Sequence, residues 1–93
     1  MSRIKLSADE IKERLKKLNN WKVEGKFLRK KYKFENFAES LAFVNKVGEI
    51  AEERDHHPDI TFGWGYAEFE ITTHDTGGLT HNDFELAEAI ENI

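Results

Sequence analysis

The chain has 93 residues, a length that suits one domain with one hydrophobic core and no separate regulatory module. Hydrophobic residues make up 39% of it, enough to form a core although 34% of the residues are charged, so we expect one folded domain over residues 1–93. With 14 basic and 18 acidic residues the net charge is −4, which argues against nucleic acid or an anionic membrane as a partner.

Cysteine is absent, which excludes disulfides, thiolate metal ligands and a cysteine nucleophile. Histidines, carboxylates and hydroxyls therefore remain as the groups available for chemistry. The segment Met1–Leu6 lacks the apolar region of a signal peptide, and no later segment is apolar for long enough to cross a bilayer. We therefore expect a cytoplasmic protein.

A first helix is predicted near the amino terminus. Ser7 and Glu10 have the spacing of a capping box, in which each side chain accepts a hydrogen bond from the other residue's backbone N–H. Apolar residues then recur at helical spacing while charged residues occupy the other face. These features predict a helix from about Ala8 to Leu18.

Two strands are expected next, at Trp21–Val23 and Phe27–Phe34, joined by a turn at Glu24-Gly25. Apolar and basic residues alternate along the second strand, which is typical of a half-buried antiparallel strand. Lys30 interrupts this alternation because it places a charge on the apolar face. Such a residue would fit a position near the edge of the sheet.

A second helix is predicted from Phe37 to Glu53. Asn36 can cap it, because Glu39 follows at the third helical position, and a long apolar stripe then continues along one face. The helix should end before Pro58, since a proline restricts the preceding residue, His57, to extended or turn geometry. The segment that contains His57 is therefore a connection between helix and strand.

A second hairpin and a third helix complete the pattern. The hairpin strands are Ile60–Trp64 and Ala67–His74, and we expect Trp64 to belong to the core. Gly65 would be the first central residue of a type II′ turn with Tyr66, because that position requires a positive φ. Thr80 then has the character of an N-cap for the last helix.

The predicted order of elements is helix, two strands, helix, two strands, helix. Such an order most simply forms one four-stranded antiparallel sheet with the three helices packed on one face. We therefore predict an α+β fold with the order α-β-β-α-β-β-α.

Three of the four histidines lie in predicted connections or strand ends, where functional residues are frequent. His56 and His57 precede the third strand, and His74 ends the fourth. A hairpin that turns near Gly65 brings residues 56–59 roughly opposite residues 71–75, so the three rings can meet. Any one of them alone would more simply be a surface or structural histidine. We interpret His81, the fourth, as a solvated residue in the first turn of the last helix.

Seven residues carry a resemblance to a known family. They are, in chain order, Glu52, His56, His57, Pro58, Trp64, His74 and Asp83. Their order and spacing resemble the signature of the pterin-4a-carbinolamine dehydratase family, and similar surroundings cover nearly the whole chain. This sequence departs from the family pattern only around residues 62–66, where it has extra glycine. The resemblance implies the α+β fold inferred above.

The resemblance also implies an activity: dehydration of 4a-hydroxytetrahydropterin to quinonoid dihydropterin, in tetrahydrobiopterin or related pterin recycling, with no metal or other cofactor. In this reaction imidazoles suit the roles of proton donor and acceptor. Resemblance assigns proton transfer to His56 and His74 and substrate positioning to His57. It places substrate contacts at Asp55, Thr72, Thr73 and Asp75, with Trp21 as a wall of the pocket.

Glu52, Pro58 and Asp83 would be supporting residues. For Glu52 and Asp83 two interpretations stay open. Each carboxylate can simply belong to its helix, where Asp83 in the first turn would stabilise the helix dipole, or it can orient a catalytic histidine. The family also forms dimers and tetramers, so the resemblance implies a homo-oligomer.

Two other function classes compete with the dehydratase. The first is a metal site made from His56, His57, His74 and a carboxylate, which adjacent histidines fit poorly because their side chains diverge along an extended chain. The second is a non-enzymatic binding module, since animal members of the family also act as dimerization partners of a transcription factor. The presence of all three histidines favours an enzyme.

Overall fold

The computed structural model describes residues 4–93 and contains the elements in the predicted order. They are α1 (Ala8–Leu15), β1 (Lys22–Glu24), β2 (Phe27–Lys33), α2 (Phe37–Arg54), β3 (Asp59–Gly63), β4 (Tyr66–Ile71), a short 3₁₀ helix (His74–Thr76) and α3 (His81–Glu91). The predicted α+β class and the α-β-β-α-β-β-α order are therefore confirmed.

The four strands form one antiparallel sheet in the order β1-β2-β4-β3. Leu28 on β2 lies opposite Ile71 on β4, and Phe69 on β4 lies opposite Ile60 on β3. These residues belong to the sheet face that the helices cover, whereas the other face carries charged side chains such as Arg29. The expectation that all helices pack on one face is confirmed.

The hydrophobic core lies between this sheet face and the helices. Its fully buried side chains include Leu28, Val47, Phe69, Phe84 and Ile90. Burial of a large apolar side chain contributes roughly 1.5–3 kcal/mol, so contacts of α2 and α3 with the sheet are the main stabilising element of the fold. The same packing fixes the ends of α2, α3 and β4 relative to one another.

α2 buries one face and exposes another. Ser40, Val47 and Ala51 on this 18-residue helix are buried, while Phe37 and Leu41 are exposed. Among residues 4–93, no helix is both long enough and apolar enough to span a membrane.

α1 begins as predicted but ends earlier. The Glu10 N–H donates to Ser7 Oγ at 3.2 Å and the Ser7 N–H donates to Glu10 Oε1 at 2.9 Å, which completes the capping box. Past Leu15 the backbone bonds change, because the Lys17 N–H donates to the Arg14 carbonyl and the Leu18 N–H to the Leu15 carbonyl. These i→i+3 bonds tighten the chain into turns, so the predicted end at Leu18 is wrong.

Lys30 lies on an internal strand, so its predicted position near a sheet edge is wrong. Its ammonium group lies on the covered face and contacts Glu91 Oε2 of α3 at 2.9 Å, and the Tyr32 hydroxyl donates to the same oxygen at 2.8 Å. Burial tends to raise the pKa of the Glu91 carboxyl, but hydrogen bonds from Lys30 and Tyr32 outweigh it and hold that pKa below its ordinary value. The charge on the apolar face is therefore paired.

The second hairpin turns one residue earlier than predicted. Gly63 pairs with Tyr66, so the central residues of the turn are Trp64 and Gly65. Gly65 has φ +79° but occupies the second central position, whereas a type II′ turn needs the positive φ at the first. The predicted type II′ turn is therefore wrong. Trp64 belongs to the turn and not to the strand, which leaves it 71% exposed instead of in the core.

Candidate active site

The three histidines of the motif border one cleft of about 180 Å³, located where α2 ends and β4 passes into the 3₁₀ helix. The residues that line it are Asp55, His56, His57, Thr72, Thr73, His74 and Asp75. The hairpin argument had predicted this convergence. The cleft is smaller than most ligand pockets, which commonly measure about 300–1,000 Å³. A flat ring that entered it would therefore keep one side open to solvent.

A larger cleft of about 480 Å³ lies on the uncovered face of the sheet. Its lining includes Arg29, which forms ion pairs with Glu24, Glu68 and Glu70 across three strands. No histidine lines this cleft. Because proton transfer near neutral pH is the chemistry that imidazole supplies best, the smaller cleft is the candidate site.

The end of α2 directs His56 into the cleft. Asp55 adopts a left-handed conformation with φ +51°, the His56 N–H donates to the Ala51 carbonyl at 3.1 Å, and the Asp55 N–H donates to the Glu52 carbonyl at 3.2 Å. This pair of bonds is the Schellman pattern, in which glycine usually occupies the left-handed position. An aspartate there costs conformational energy, which is a feature frequent at functional sites. Pro58 follows His56 by two residues, in the connection to β3.

Asp83 is the buried centre of the site. Its side chain is 0% exposed, and its Oδ1 contacts His56 Nε2 at 2.6 Å. Its Oδ2 accepts from the Thr80 backbone N–H and from the Thr73 hydroxyl, both at 2.8 Å. The carboxylate thus completes the N-terminal cap of α3 and also holds the His56 ring. These contacts agree with both interpretations that the sequence left open, and the catalytic part of the second stays a prediction.

This pairing determines which nitrogen of His56 is available. An ionised carboxylate only accepts hydrogen bonds, so Nε2 carries a hydrogen and donates it to Asp83. The lone pair of the neutral ring is then on Nδ1. His56 is 10% exposed, so its ring is held in place while it borders the cleft.

His57 has a similar partner in an exposed setting. Its Nε2 contacts Glu52 Oε2, and the two side chains are 54% and 77% exposed. Surface ion pairs of this kind are screened by water and hold a side chain weakly. His57 and Glu52 therefore form a more adjustable unit than His56 and Asp83.

The remaining residues of the cleft come from the end of β4 and the 3₁₀ helix. His74 and Asp75 are exposed at its rim. Thr72 is buried, and its hydroxyl donates to the Lys26 carbonyl at 2.6 Å. Because that hydrogen is used, the Thr72 oxygen is free to accept a hydrogen bond from an N–H group in the cleft.

Two predicted substrate contacts lie differently from expectation. Trp21 is 6% exposed and packs in the hydrophobic core, and it is not one of the residues that line the cleft. Thr73 lines the cleft, but its hydroxyl points to Asp83 and Thr80 behind the site. The predicted wall of the pocket at Trp21 is therefore not present in the single chain.

Two further residues, one in α3 and one in its N-terminal cap, make contacts that the sequence did not predict. His81 was expected to be solvated, but its Nδ1 contacts an Arg14 guanidinium nitrogen, and Arg14 also pairs with Glu88. Thr80 was predicted only as an N-cap, yet it is buried and reaches the hydroxyl of Thr73. The Thr80-x-x-Asp83 spacing of a capping box was the available signal for this arrangement.

No group of three or more histidine and carboxylate side chains within residues 4–93 is arranged to bind a metal ion. His56 and His57 instead contact separate carboxylates, Asp83 and Glu52. The arrangement suits proton transfer between a fixed imidazole, an adjustable one and an exposed one.

Comparison with known proteins shows the family of this chain. The sequence model of a family described as pterin 4 alpha carbinolamine dehydratase matches residues 4–93. The chain belongs to this family. Because the match spans nearly every residue, the histidine cleft and its supporting helix both lie inside the region shared with the family.

Relatives in the dehydratase family support the assignment. The chain is 45% identical to a protein of Rubrobacter xylanophilus over 95% of this chain and 83% of the relative, and 46% identical to one of Sulfolobus acidocaldarius over 97% and 99%. Each carries the provisional name of a pterin-4-alpha-carbinolamine dehydratase. The crystal structure of a transcriptional coactivator/pterin dehydratase from Brucella melitensis is 26% identical, with a TM-score of 0.91 over 96% of this chain and 97% of that one.

Proposed function

We propose that this protein dehydrates 4a-hydroxytetrahydropterins to quinonoid dihydropterins by histidine acid and base catalysis. The observation that carries the proposal is the cleft in which His56, fixed by buried Asp83, lies with His57 and His74. Membership of the dehydratase family supports the reaction class. The histidine mechanism rests on the chemistry of the residues in the cleft.

The reaction requires one proton to be supplied and another to be removed. The bond between C4a and the hydroxyl oxygen breaks, the oxygen takes a proton and leaves as water, N5 loses its proton, and a C4a–N5 double bond forms. One enzyme group must therefore donate and a second must accept in the same turnover. Positioned acids and bases of this kind each contribute about 10²–10⁴-fold to a rate.

We assign the two proton transfers to His56 and His74. His56 offers Nδ1 to the cleft because its Nε2–H is held by Asp83. His74 lies at the rim on the 3₁₀ helix, whereas His56 lies in the connection after α2, so the two rings can address different sides of a bound ring system. His57, with its exposed partner Glu52, positions the substrate.

The polar edge of the pterin has suitable partners in the same cleft. Asp55 and Asp75 offer carboxylates that can accept from the guanidine-like N–H groups, and the Thr72 oxygen can accept one more hydrogen bond. The physiological role proposed for the reaction is recycling of tetrahydrobiopterin or a related pterin. A cytoplasmic location stays a prediction, which cell fractionation would test.

A dehydration assay tests the proposed function. Initial rates with the carbinolamine are compared between wild type and a buffer blank, because the reaction also proceeds slowly without catalyst. We expect wild type to exceed the blank clearly and His56→Ala or His74→Ala to lose most of that excess. His81→Gln is the matched control, because it removes an imidazole outside the cleft while its amide oxygen can still accept from Arg14. A wild-type rate equal to the blank would refute the function.

We propose, second, that the protein is a homodimer or homotetramer. Phe37, Leu41 and Gly48 share one side of α2, and the Phe37 ring stacks on Phe62 of the edge strand β3 with centroids 5.7 Å apart. A glycine inside a helix costs roughly 0.5–1 kcal/mol relative to alanine, yet a Cβ at Gly48 would have no atom within 4 Å. Close approach of a second copy supplies a reason for that glycine, and an unpaired strand edge also favours association.

Light scattering tests the assembly. We expect a mass that is a multiple of the 10.9 kDa chain at micromolar concentration, and a single-chain mass would refute the proposal. Gly48→Ala should weaken association by crowding the contact, although it would stabilise an isolated helix. Glu49→Ala changes an exposed residue on another side of the same helix and is the matched control.

A further inference from the structure

Two threonine hydroxyls lie behind the catalytic cleft in a continuous chain of hydrogen bonds. Thr73 Oγ1 is 2.8 Å from Asp83 Oδ2 and also 2.8 Å from Thr80 Oγ1. Thr73, Thr80 and Asp83 are 1%, 0% and 0% exposed, so water does not compete for these contacts. At the other end of the chain, Asp83 Oδ1 contacts His56 Nε2.

Donor counting fixes the direction of each bond. An ionised carboxylate can only accept, so the single hydroxyl hydrogen of Thr73 goes to Asp83. Thr73 then has no hydrogen left for Thr80, and Thr80 must donate its own hydroxyl hydrogen to Thr73. The sequence of donation runs from Thr80 to Thr73 to Asp83, and His56 donates to Asp83 from the opposite side.

The burial of Asp83 makes these hydrogen bonds necessary. A carboxylate removed from water is costly unless its lone pairs are matched by donors. Asp83 receives a hydroxyl, a backbone N–H from Thr80 and the imidazole N–H, which together occupy both oxygens. Loss of the Thr73 hydroxyl would leave Oδ2 with a single donor and would free the carboxylate to rotate.

We propose that Thr73 and Thr80 are positioning residues for His56. They hold the Asp83 carboxylate in one orientation, so that Nε2 of His56 keeps its hydrogen in both the neutral and the protonated ring, and Nδ1 is the atom that gains and loses the catalytic proton. This inference rests on the proposed function, because positioning affects turnover only if His56 transfers a proton. It also replaces the expectation that the Thr73 hydroxyl contacts substrate.

The first test uses the wild-type protein and needs no substrate. With ¹⁵N-labelled histidine, nuclear magnetic resonance at neutral and mildly alkaline pH distinguishes a hydrogen on Nε2 from one on Nδ1. We expect neutral His56 to be the Nε2–H form. A neutral His56 with its hydrogen on Nδ1, or with a mixture of both forms, would overturn the inference, whether or not the protein is a dehydratase.

The second test separates positioning from stability. Thr73→Val keeps the shape of the side chain and removes the hydroxyl, and we expect turnover to fall by about ten-fold with little change in KM. Thr73→Ser restores the hydroxyl and should restore the rate and the Nε2–H form. Thr80→Val and Thr80→Ser form a parallel pair at the far end of the chain, where we expect a smaller loss and the same rescue.

Thr61→Val is the matched control, since Thr61 is exposed on the uncovered face of β3, opposite Glu68. Circular dichroism and thermal unfolding of each variant report its folding. A folded Thr73→Val protein with wild-type turnover and an unchanged His56 spectrum would overturn the inference while the proposed function stands. An inactive wild type with the expected His56 spectrum would overturn the proposed function and leave the hydrogen-bond chain intact.

Discussion

His56 and His57 are adjacent in the chain, and each ring contacts a carboxylate through Nε2, but their surroundings differ. The side chains of His56 and Asp83 are 10% and 0% exposed, whereas those of His57 and Glu52 are 54% and 77% exposed. Exposed pairs contribute roughly 0–1 kcal/mol, while removal of one partner from a buried pair costs about 3–5 kcal/mol. The same kind of contact therefore fixes the ring of His56 but leaves the ring of His57 adjustable.

The largest expected effect concerns the two proton-transfer groups. If His56 and His74 address opposite faces of the pterin, each should act as the donor for one stereoisomer of the 4a-carbinolamine. His56→Ala and His74→Ala should then each lose about 10²–10⁴-fold in rate, with the larger loss toward a different isomer in each variant. Initial rates for both isomers across pH, corrected for the spontaneous reaction, measure this.

His57→Ala belongs in the same series, because its ring is in the cleft without a buried partner. It should show no isomer preference. Equal losses toward both isomers in His56→Ala and in His74→Ala would contradict the opposed-face arrangement, although the dehydratase reaction itself would stand.

Local patterns predicted most of the fold. The capping box at Ser7 and the N-cap at Thr80 each begin a helix, since a cap depends on residues only a few positions apart. Lys30 was misinterpreted because its partner Glu91 is 61 residues away and belongs to another element. The turn at Trp64-Gly65 was placed one residue late because a single positive φ fits either central position until the strand register is known.

For the candidate site, the sequence predicted which histidines lie together but not which side chains they contact. The hairpin brought His56, His57 and His74 together from spacing alone. The sequence could not distinguish the partner of His56 from that of His57, because Glu52 is close in the chain while Asp83 is 27 residues beyond His56. Burial, which makes Asp83 the stronger partner, depends on how α3 packs against the sheet.

Asp83→Asn should have the next largest effect. If the amide oxygen faces His56, the amide nitrogen faces the Thr80 N–H and the cap is lost. If the amide is reversed, its N–H₂ faces His56 and forces the ring hydrogen onto Nδ1. The first orientation leaves the buried Thr80 N–H unmatched, and the second takes the lone pair of neutral His56 away from Nδ1. We therefore expect about 1–3 kcal/mol less stability in urea unfolding and about 10–100-fold lower turnover.

Asp59→Asn provides the comparison for this prediction, because Asp59 is an exposed carboxylate on the edge strand β3. Asp59→Asn should change neither the stability nor the turnover appreciably. An Asp83→Asn protein with wild-type stability and turnover would show that the buried pair has no special importance.

His57→Ala should act on binding more than on turnover. The ring borders the cleft but lacks a rigid partner, so its loss removes a contact with substrate and leaves the proton-transfer groups in place. We expect KM to rise by about 3- to 10-fold with kcat reduced by less. Steady-state rates over a range of carbinolamine concentrations separate the two. A loss confined to kcat would instead place His57 among the proton-transfer groups.

Glu52→Gln should have the smallest effect of the series. The amide can still accept a hydrogen bond from His57, and the charge that is lost was largely screened by water, so we expect less than about 0.5 kcal/mol in stability and a KM within about two-fold of wild type. Urea unfolding and steady-state kinetics, measured beside Asp83→Asn, provide the contrast between the two pairs. If Glu52→Gln were as damaging as Asp83→Asn, the 77% exposure of Glu52 in the single chain would no longer describe its working environment. Burial by a second copy of the chain would then be the physical reason, and light scattering of the same variant would reveal it as an altered mass.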